Sequence, residues 1–399
     1  MKATRVDEKI TSWIDKYCQA IVFALLLFIS FLIRFLLRDG ISGDAQSKLI
    51  CWYEEIRSNG GLRALSAQVG DYNMFYQFIL ALVTYLPIQP IYAIKLSSIV
   101  FDYLLAFAAD LFVRELTENR EYGRWAFLIV VLSPLVFINS AWWAQCDAMY
   151  ASLCVLSLVY LVKAKYTTSF LLYGFSFAFK LQGIFLLPLF LFLYVYQKRY
   201  SVLNFLLIPF MTAISALPCV IAGRGKKSVI RVITFYFWES GIWRKMYLNY
   251  PGFWALMGTN SEEFFNIFHT AAICLTVALL ATFMYYWKKK SVQLTKVNIL
   301  YMAFLLSYTC VYFLPAMHER YNFIAEILGI VILFIIPKTI VLLIPLNLIS
   351  IATYGSYLLT GGSSTHLQIL SVINGAVLLG YLLLLQKKMT GNHEAWLLK

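Results

Sequence analysis

Four short stretches carry acid–base or phosphate chemistry in an otherwise apolar chain. Ile41-Ser42-Gly43-Asp44 offers a carboxylate. Trp142-Trp143-Ala144-Gln145-Cys146-Asp147 offers an amide and an acid. Phe179-Lys180-Leu181-Gln182 offers a cation and an amide, and Met317-His318-Glu319-Arg320-Tyr321 an imidazole, an acid and a guanidinium in consecutive positions. Asp71-Tyr72 closes the polar segment that Asp44 opens. A positioned carboxylate can take the proton of an attacking hydroxyl. Arginine forks and lysine ammoniums suit phosphate oxygens, and histidine donates or titrates near neutral pH. Each stretch also has a plain reading. Asp44 can be a solvated loop acid or a helix cap, with Ser42 competing. The tryptophans suit a membrane-boundary belt, Lys180 can snorkel, and His318-Glu319-Arg320 can be a structural ion cluster.

Composition decides where such groups sit. The chain has 399 residues, of which 61% are hydrophobic and 13% charged, about half the charge of a soluble domain. It reads as an all-α polytopic membrane protein. No cleavable leader is expected, since the first apolar run lacks a small-residue cleavage site and reads as a retained anchor. The net charge of +13 follows from basic loops on one side of a membrane, not from nucleic-acid binding. The seven cysteines show no paired spacing, so neither a disulfide framework nor a zinc site is expected.

A spanning helix needs roughly 20 apolar residues. Tyr17 to Leu37 fits, with Arg34 expected to snorkel and Asp44 just beyond. The basic N-terminus places that segment in the cytoplasm. Met74 to Leu86 is too short to span and reads as re-entrant or interfacial. The remaining runs are Ile91–Val113, Trp125–Asn139, Ala148–Val162, Ser169–Phe179, Gly183–Tyr196, Val202–Ala222, Phe268–Trp287, Asn298–Leu314, Phe323–Pro337, Thr339–Leu359 and Leu367–Leu385. The reading is a single integral domain, 1–399, of about twelve spans with both termini inside. Nearly all short outer loops then lack Lys and Arg, except at Lys180 and Arg320. Two long outer segments remain, 38–90 and 223–267. The second mixes Arg and Lys with Phe235, Tyr236, Trp238 and Trp243 and suggests an interfacial helix. Asp110 is expected at the cytoplasmic interface, and Asp102 and Glu326 as buried polar partners.

Taken in order, the motifs resemble a known family, the GT-C superfamily glycosyltransferases, and most of all the bacterial relatives of the second GPI mannosyltransferase. The resemblance rests on Asp44 after the first span, on Trp143-Ala144-Gln145-Cys146-Asp147 with Ala where the family has Gly, and on Phe179-Lys180-Leu181-Gln182 followed by Pro188. It continues with Asn249, Trp254 and Leu256, and with His318-Glu319-Arg320-Tyr321. Asp71-Tyr72 stands where the family carries Asp-Tyr-Pro-Pro, with Asn73-Met74 replacing the prolines. The likeness covers about residues 20 to 337.

The resemblance implies an inverting transfer of sugar from a polyprenyl-phosphate donor at the extracytoplasmic face of a bacterial cytoplasmic membrane. The acceptor would be a cell-envelope glycan or a lipid-linked precursor. Asp44 would be the catalytic base. Lys180, His318 and Arg320 would hold the donor phosphate. Gln145, Asp147, Glu319, Asp71, Tyr72, Gln182, Asn249, Trp254 and Tyr321 would serve sugar or acceptor. The His-Glu-Arg spacing does not match a zinc helix, and no metal is assigned; a divalent ion shared by Asp44 and Asp147 stays open. Two other readings compete: a polysaccharide polymerase using a lipid-pyrophosphate donor, and a lipid-linked oligosaccharide flippase or other transporter.

Overall fold

The structure, a computed structural model, describes residues 4–225, 244–361 and 366–391. The protein is an all-α membrane protein. Among the described residues six helices are long and apolar enough to cross a membrane, or seven if one bent pair counts as a span. In chain order the helices are α1 (Arg5–Leu36), α2 (Ile50–Ser58), α3 (Met74–Val83), α4 (Pro90–Thr117), α5 (Arg120–Val131), α6 (Pro134–Phe137), α7 (Asp147–Val162) and α8 (Tyr166–Phe179). They continue with α9 (Leu187–Gln197), α10 (Leu207–Ser215), α11 (Leu217–Ile221), α12 (Glu262–Lys289), α13 (Lys296–Phe313), α14 (Phe323–Leu333), α15 (Ile340–Thr360) and α16 (Leu367–Thr390). Among the described residues a single pair of two-residue strands, β1 (Tyr247–Leu248) and β2 (Met317–His318), runs parallel.

Burial sorts the helices. The spanning window of α13 is 83% buried, whereas those of α1 and α12 are 11% and 17% buried. The first is the bundle's centre; the others lie at its periphery with apolar side chains outward, as lipid as solvent requires. Proline sets several breaks. Pro90 opens α4 and Pro188 opens α9 in the first turn, where its missing N–H is no loss. Pro134 separates α5 from the following helix, and the pair bends by 46°. That second piece ends in a wider π-type turn, Ile138–Trp142. The apolar run Val202–Ala222 is likewise broken into short pieces. The run Met74–Leu86 is a ten-residue helix, too short to cross, packed on α4 and α8.

One sequence expectation is corrected by a long-range contact. Arg34 does not snorkel: it is 3% exposed, and its Nη2 lies 2.8 Å from Asp102 Oδ2 on α4. A peripheral helix thus meets the bundle through an ion pair. Asp110 is buried, its Oδ1 accepting from Arg114 Nε at 2.6 Å one turn along the same helix. Asp102 and Glu326 are buried polar partners, as expected, the latter accepting from Ser350. In the segment 223–267, the aromatic and basic stretch 226–243 lies outside the described residues.

The ends of the bundle differ. At one, Glu115 pairs with Lys163 at 3.3 Å and Lys296 at 2.6 Å. At the other, the end of α1, the start of α7, the end of α8, the α13–α14 turn and the last turns of α15 come together around Asp44.

Candidate active site

Asp44 is presented by the turn that leaves α1 and enters a helical segment beginning with a π-type turn, Ala45–Leu49. Its carboxylate does not cap that segment. Ser42 does: its Oγ accepts from Ala45 N at 3.1 Å and donates to the Trp143 carbonyl at 3.0 Å. This pins the Asp44 turn to the second motif and leaves the carboxylate free to face a cavity. Trp143 Nε1 donates to Asp44 Oδ2 at 2.9 Å, Gln145 Nε2 to the same oxygen at 3.4 Å, and the Tyr357 hydroxyl to Oδ1 at 2.9 Å. An ionised carboxylate offers about four lone-pair sites. Three are taken, and one remains open.

The second motif follows the π-type turn, whose extra residue rotates Asn139 towards α7. Asn139 O accepts from Gln145 N at 2.8 Å, and Asn139 Nδ2 donates to Asp147 Oδ2 at 2.8 Å. Ala144 has φ +63°, a left-handed conformation that glycine adopts without strain. Trp143 is fully buried, and the guanidinium carbon of Arg320 lies 5.1 Å from its ring centroid. The Tyr72 hydroxyl donates to Gln145 Oε1 at 2.8 Å, which turns the amide nitrogen towards Asp44.

The cavity holds about 200 Å³ and is lined by Asp44, Lys48, Leu49, Trp52, Asp71, Tyr72, Gln145, His318, Arg320, Tyr321 and Tyr357. Seven of the thirteen sequence candidates therefore line the cavity: Asp44, Asp71, Tyr72, Gln145, His318, Arg320 and Tyr321. Behind them lies a charged layer. Lys180, 3% exposed, places Nζ 2.7 Å from Asp147 Oδ1. Arg320 Nε lies 3.6 Å from Asp147 Oδ2, and Arg320 Nη1 donates to Glu319 Oε1 at 2.7 Å. Lys180, Asp147 and Glu319 support the wall and do not line the cavity. Gln182 sits beside them, its side chain hydrogen-bonded to Tyr321. Asn249 and Trp254 act one step further out. Asn249 extends the β1 bridge onto His318, and Trp254 Nε1 donates to the Phe313 carbonyl at 2.6 Å, steadying the chain that leads into the His318 turn.

Burial sets the protonation of this turn. It pushes the His318 imidazole well below its ordinary range, with Arg320, Lys180 and Lys48 adding to the effect, so the ring is neutral at neutral pH. Burial raises the Glu319 carboxyl against the pull of Arg320. Burial also opposes the Arg320 charge, but Glu319, Tyr72 and Asp147 outweigh it and hold the guanidinium protonated.

The Asp147 carboxylate is fully buried and engaged by Lys180, Asn139 and Arg320, whereas Asp44 lines the cavity. Among the described residues no group of three or more His, Cys, Asp or Glu side chains is placed to hold a metal. Two cavity residues carry no local sequence signal. Tyr357 sits in an apolar helix, like any interfacial tyrosine, and Trp52 sits in a polar loop segment. No protein-family model and no curated protein sequence matches the chain.

Proposed function

We propose that the protein is an inverting glycosyltransferase that moves a sugar from a polyprenyl-phosphate donor to a cell-envelope glycan or lipid-linked acceptor. The observation that carries this reading is one small polar cavity at a bundle end. In it a carboxylate with one open acceptor position, Asp44, faces a guanidinium, Arg320, and a neutral imidazole, His318. In the reaction Asp44 accepts the proton of an acceptor hydroxyl as that oxygen attacks the anomeric carbon. The bond from that carbon to the donor phosphate oxygen breaks, and the electron pair leaves with the lipid phosphate. The proton ends on Asp44. Arg320 and a donor nitrogen of His318 stabilise the charge that grows on the phosphate. Tyr72 and Gln145 orient the base.

The membrane setting of this reading has about twelve passes: the six long helices, the bent pair as one, and Asp147–Val162, Tyr166–Phe179, Leu181–Gln197, Val202–Ser215 and Phe323–Leu333 as short crossings. Short helices cross where the bilayer thins or the bundle shields them. Lys163, Lys198, Lys288, Lys296, Lys338 and Lys387 then share the end opposite Asp44, and the positive-inside rule favours that end and both termini in the cytoplasm, with the cavity outside.

The test is transfer of radiolabelled hexose from polyprenyl-phosphate donors in proteoliposomes, wild type against Asp44→Asn. Transfer by the wild type, lost in a folded Asp44→Asn protein, supports the reading. Equal transfer by both removes Asp44 from the base role. Absence of transfer from every donor, with lipid-linked glycan crossing the bilayer instead, replaces the enzyme by a transporter.

A further inference from the structure

Resting on the transferase reading above, we infer that Trp52 is the platform for a sugar ring of the acceptor, and that the acceptor is therefore a glycoside and not a bare lipid alcohol. Asp44, Lys48 and Trp52 are spaced by four along one continuous helical segment, and all three line the cavity. Positions four apart share a helix face. A long helical side chain leans back towards the N-terminal turn, which carries the Trp52 indole towards the Asp44 carboxylate.

The indole is held flat by its neighbours. Gly70, with φ +69°, lies so close that a Cβ there would be 2.4 Å from Trp52 Cδ2 and Cε2. No side chain fits, and the Gly70 backbone backs one face of the ring. Tyr72 meets the indole edge-on, with centroids 5.4 Å apart at 65°. Beside it Lys48 Nζ and Asp71 Oδ2 form an ion pair at 3.3 Å, with side chains 42% and 41% exposed. A fixed aromatic plane next to an exposed carboxylate and ammonium matches a sugar ring, which has an apolar C–H face and a rim of hydroxyls. It does not match a prenyl or alkyl chain, which would meet Asp44, Lys48, Asp71, Gln145, His318 and Arg320 around the same cavity.

The side of the reaction also follows. Inversion puts the attacking hydroxyl and the leaving phosphate on opposite faces of the anomeric carbon. Arg320 and His318 define the phosphate side and Asp44 the hydroxyl side. Trp52 shares its helical segment with Asp44, so the ring on it belongs to the acceptor.

The experiment measures steady-state transfer in proteoliposomes from whichever polyprenyl-phosphate hexose the wild type uses. The acceptor probes are octyl α-mannoside and octyl β-glucoside below their micelle-forming concentrations, against 1-octanol. Wild type, Trp52→Phe, Trp52→Leu and Trp52→Ala are compared. Trp52→Ala and Trp52→Leu remove the platform and should raise the glycoside KM about tenfold or more, a loss of about 1.4 kcal/mol. The donor KM should stay within about twofold, which also reports an intact fold, and Trp52→Phe should keep most of the affinity. The proposal is overturned by a wild type that prefers octanol or accepts neither glycoside, by an unchanged glycoside KM in Trp52→Ala, or by a change confined to the donor KM. A wild type that transfers from no donor to any acceptor sinks the transferase reading itself, a different result from active protein indifferent to Trp52.

Discussion

Lys95 gives the sharpest test of how the Asp44 turn is built. It lies on α4, is 2% exposed, and its ammonium donates to three carbonyls: Leu37 and Arg38 at 2.9 Å and Gly40 at 2.6 Å. These carbonyls belong to the turn just past the end of α1, and that of Leu37 also accepts from Gly40 N at 3.2 Å. Four residues later comes Asp44. Lys95→Met keeps the stem and removes the charge and all three donors. A hydrogen bond from a charged group contributes about 1.5–3 kcal/mol net. The three share one nitrogen and do not add, so the loss expected is about 1.5–3 kcal/mol. Tyr92, which donates to Asp39 at 2.6 Å, still tethers the turn, so the protein should fold. Asp44 should then wander, and a misplacement of about 1 Å costs on the order of a hundredfold in rate. The assay pairs thermal unfolding in detergent with sugar transfer in proteoliposomes. The expected result is a lowered Tm and a kcat reduced about a hundredfold with the donor KM little changed. Lys95→Arg should be intermediate, because a planar fork cannot converge three donors on one point. A Lys95→Met protein with wild-type Tm and transfer within twofold of wild type would refute the reasoning.

Three further outcomes follow from the geometry. Ala144→Gly should leave Tm unchanged or raise it, since the relief of a left-handed alanine, about 1–2 kcal/mol, is offset by about 0.5–1 kcal/mol of glycine entropy; Ala144→Val should lower it, and calorimetry reads both. Folded His318 is held neutral, while the unfolded chain takes up a proton as the pH falls below its ordinary value of 6.5, so stability falls from about pH 6.5 downward. His318→Gln should flatten that slope in a Tm-against-pH series. The raised Glu319 carboxyl works with the opposite sign but is present in both proteins, so it drops out of the difference. Gly174→Ala places a Cβ 2.8 Å from Ile208 Cα and Leu207 O, backbone atoms that cannot step aside, so α8 and α10 must part at a cost of about 1–3 kcal/mol. Gly355→Ala, with nothing within 4 Å, is the control and should be neutral or stabilising.

The helical membrane class was legible because lipid leaves the backbone few alternatives. The cavity wall was legible where ionisable groups interrupt apolar runs: Asp44, His318 and Arg320 have no cheap place in a membrane protein unless they are used or paired. The same rule misled at Arg34, whose position near a helix end reads as snorkelling. Its partner Asp102 is 68 residues away, and only the packing of α1 on α4 joins them. It also could not separate lining from support. Lys180 and Arg320 look alike in sequence, yet Lys180 is consumed by Asp147 while Arg320 reaches the cavity. Lys95 is an ionisable residue within an apolar run and carried the same signal, but its use is purely structural, holding main-chain carbonyls. Tyr357 and Trp52 carried none, because tyrosine and tryptophan are common at any membrane boundary.

The arrangement answers a difficulty inherent in the proposed chemistry. A base must keep its negative charge beside the cations that hold a phosphate, and neither may collapse onto the other. Here the cations are given their own carboxylates: Lys180 has Asp147, and Arg320 has Glu319 with Asp147 nearby. Trp143 stands between the two functions. Its indole N–H holds Asp44, and its ring face lies against the Arg320 guanidinium. The side chain is fully buried and stacked on Tyr357 at 5.0 Å, so it cannot turn away. In the proposed reaction Arg320 would therefore meet a phosphate with the part of its fork that Glu319 does not occupy, and Asp44 would meet a hydroxyl with its one open acceptor position. Charge neutrality in the supporting layer makes the site discriminate by geometry. A phosphate gains little from net attraction and much from fitting the oriented donors, which is where transition-state stabilisation in a water-poor cavity is largest.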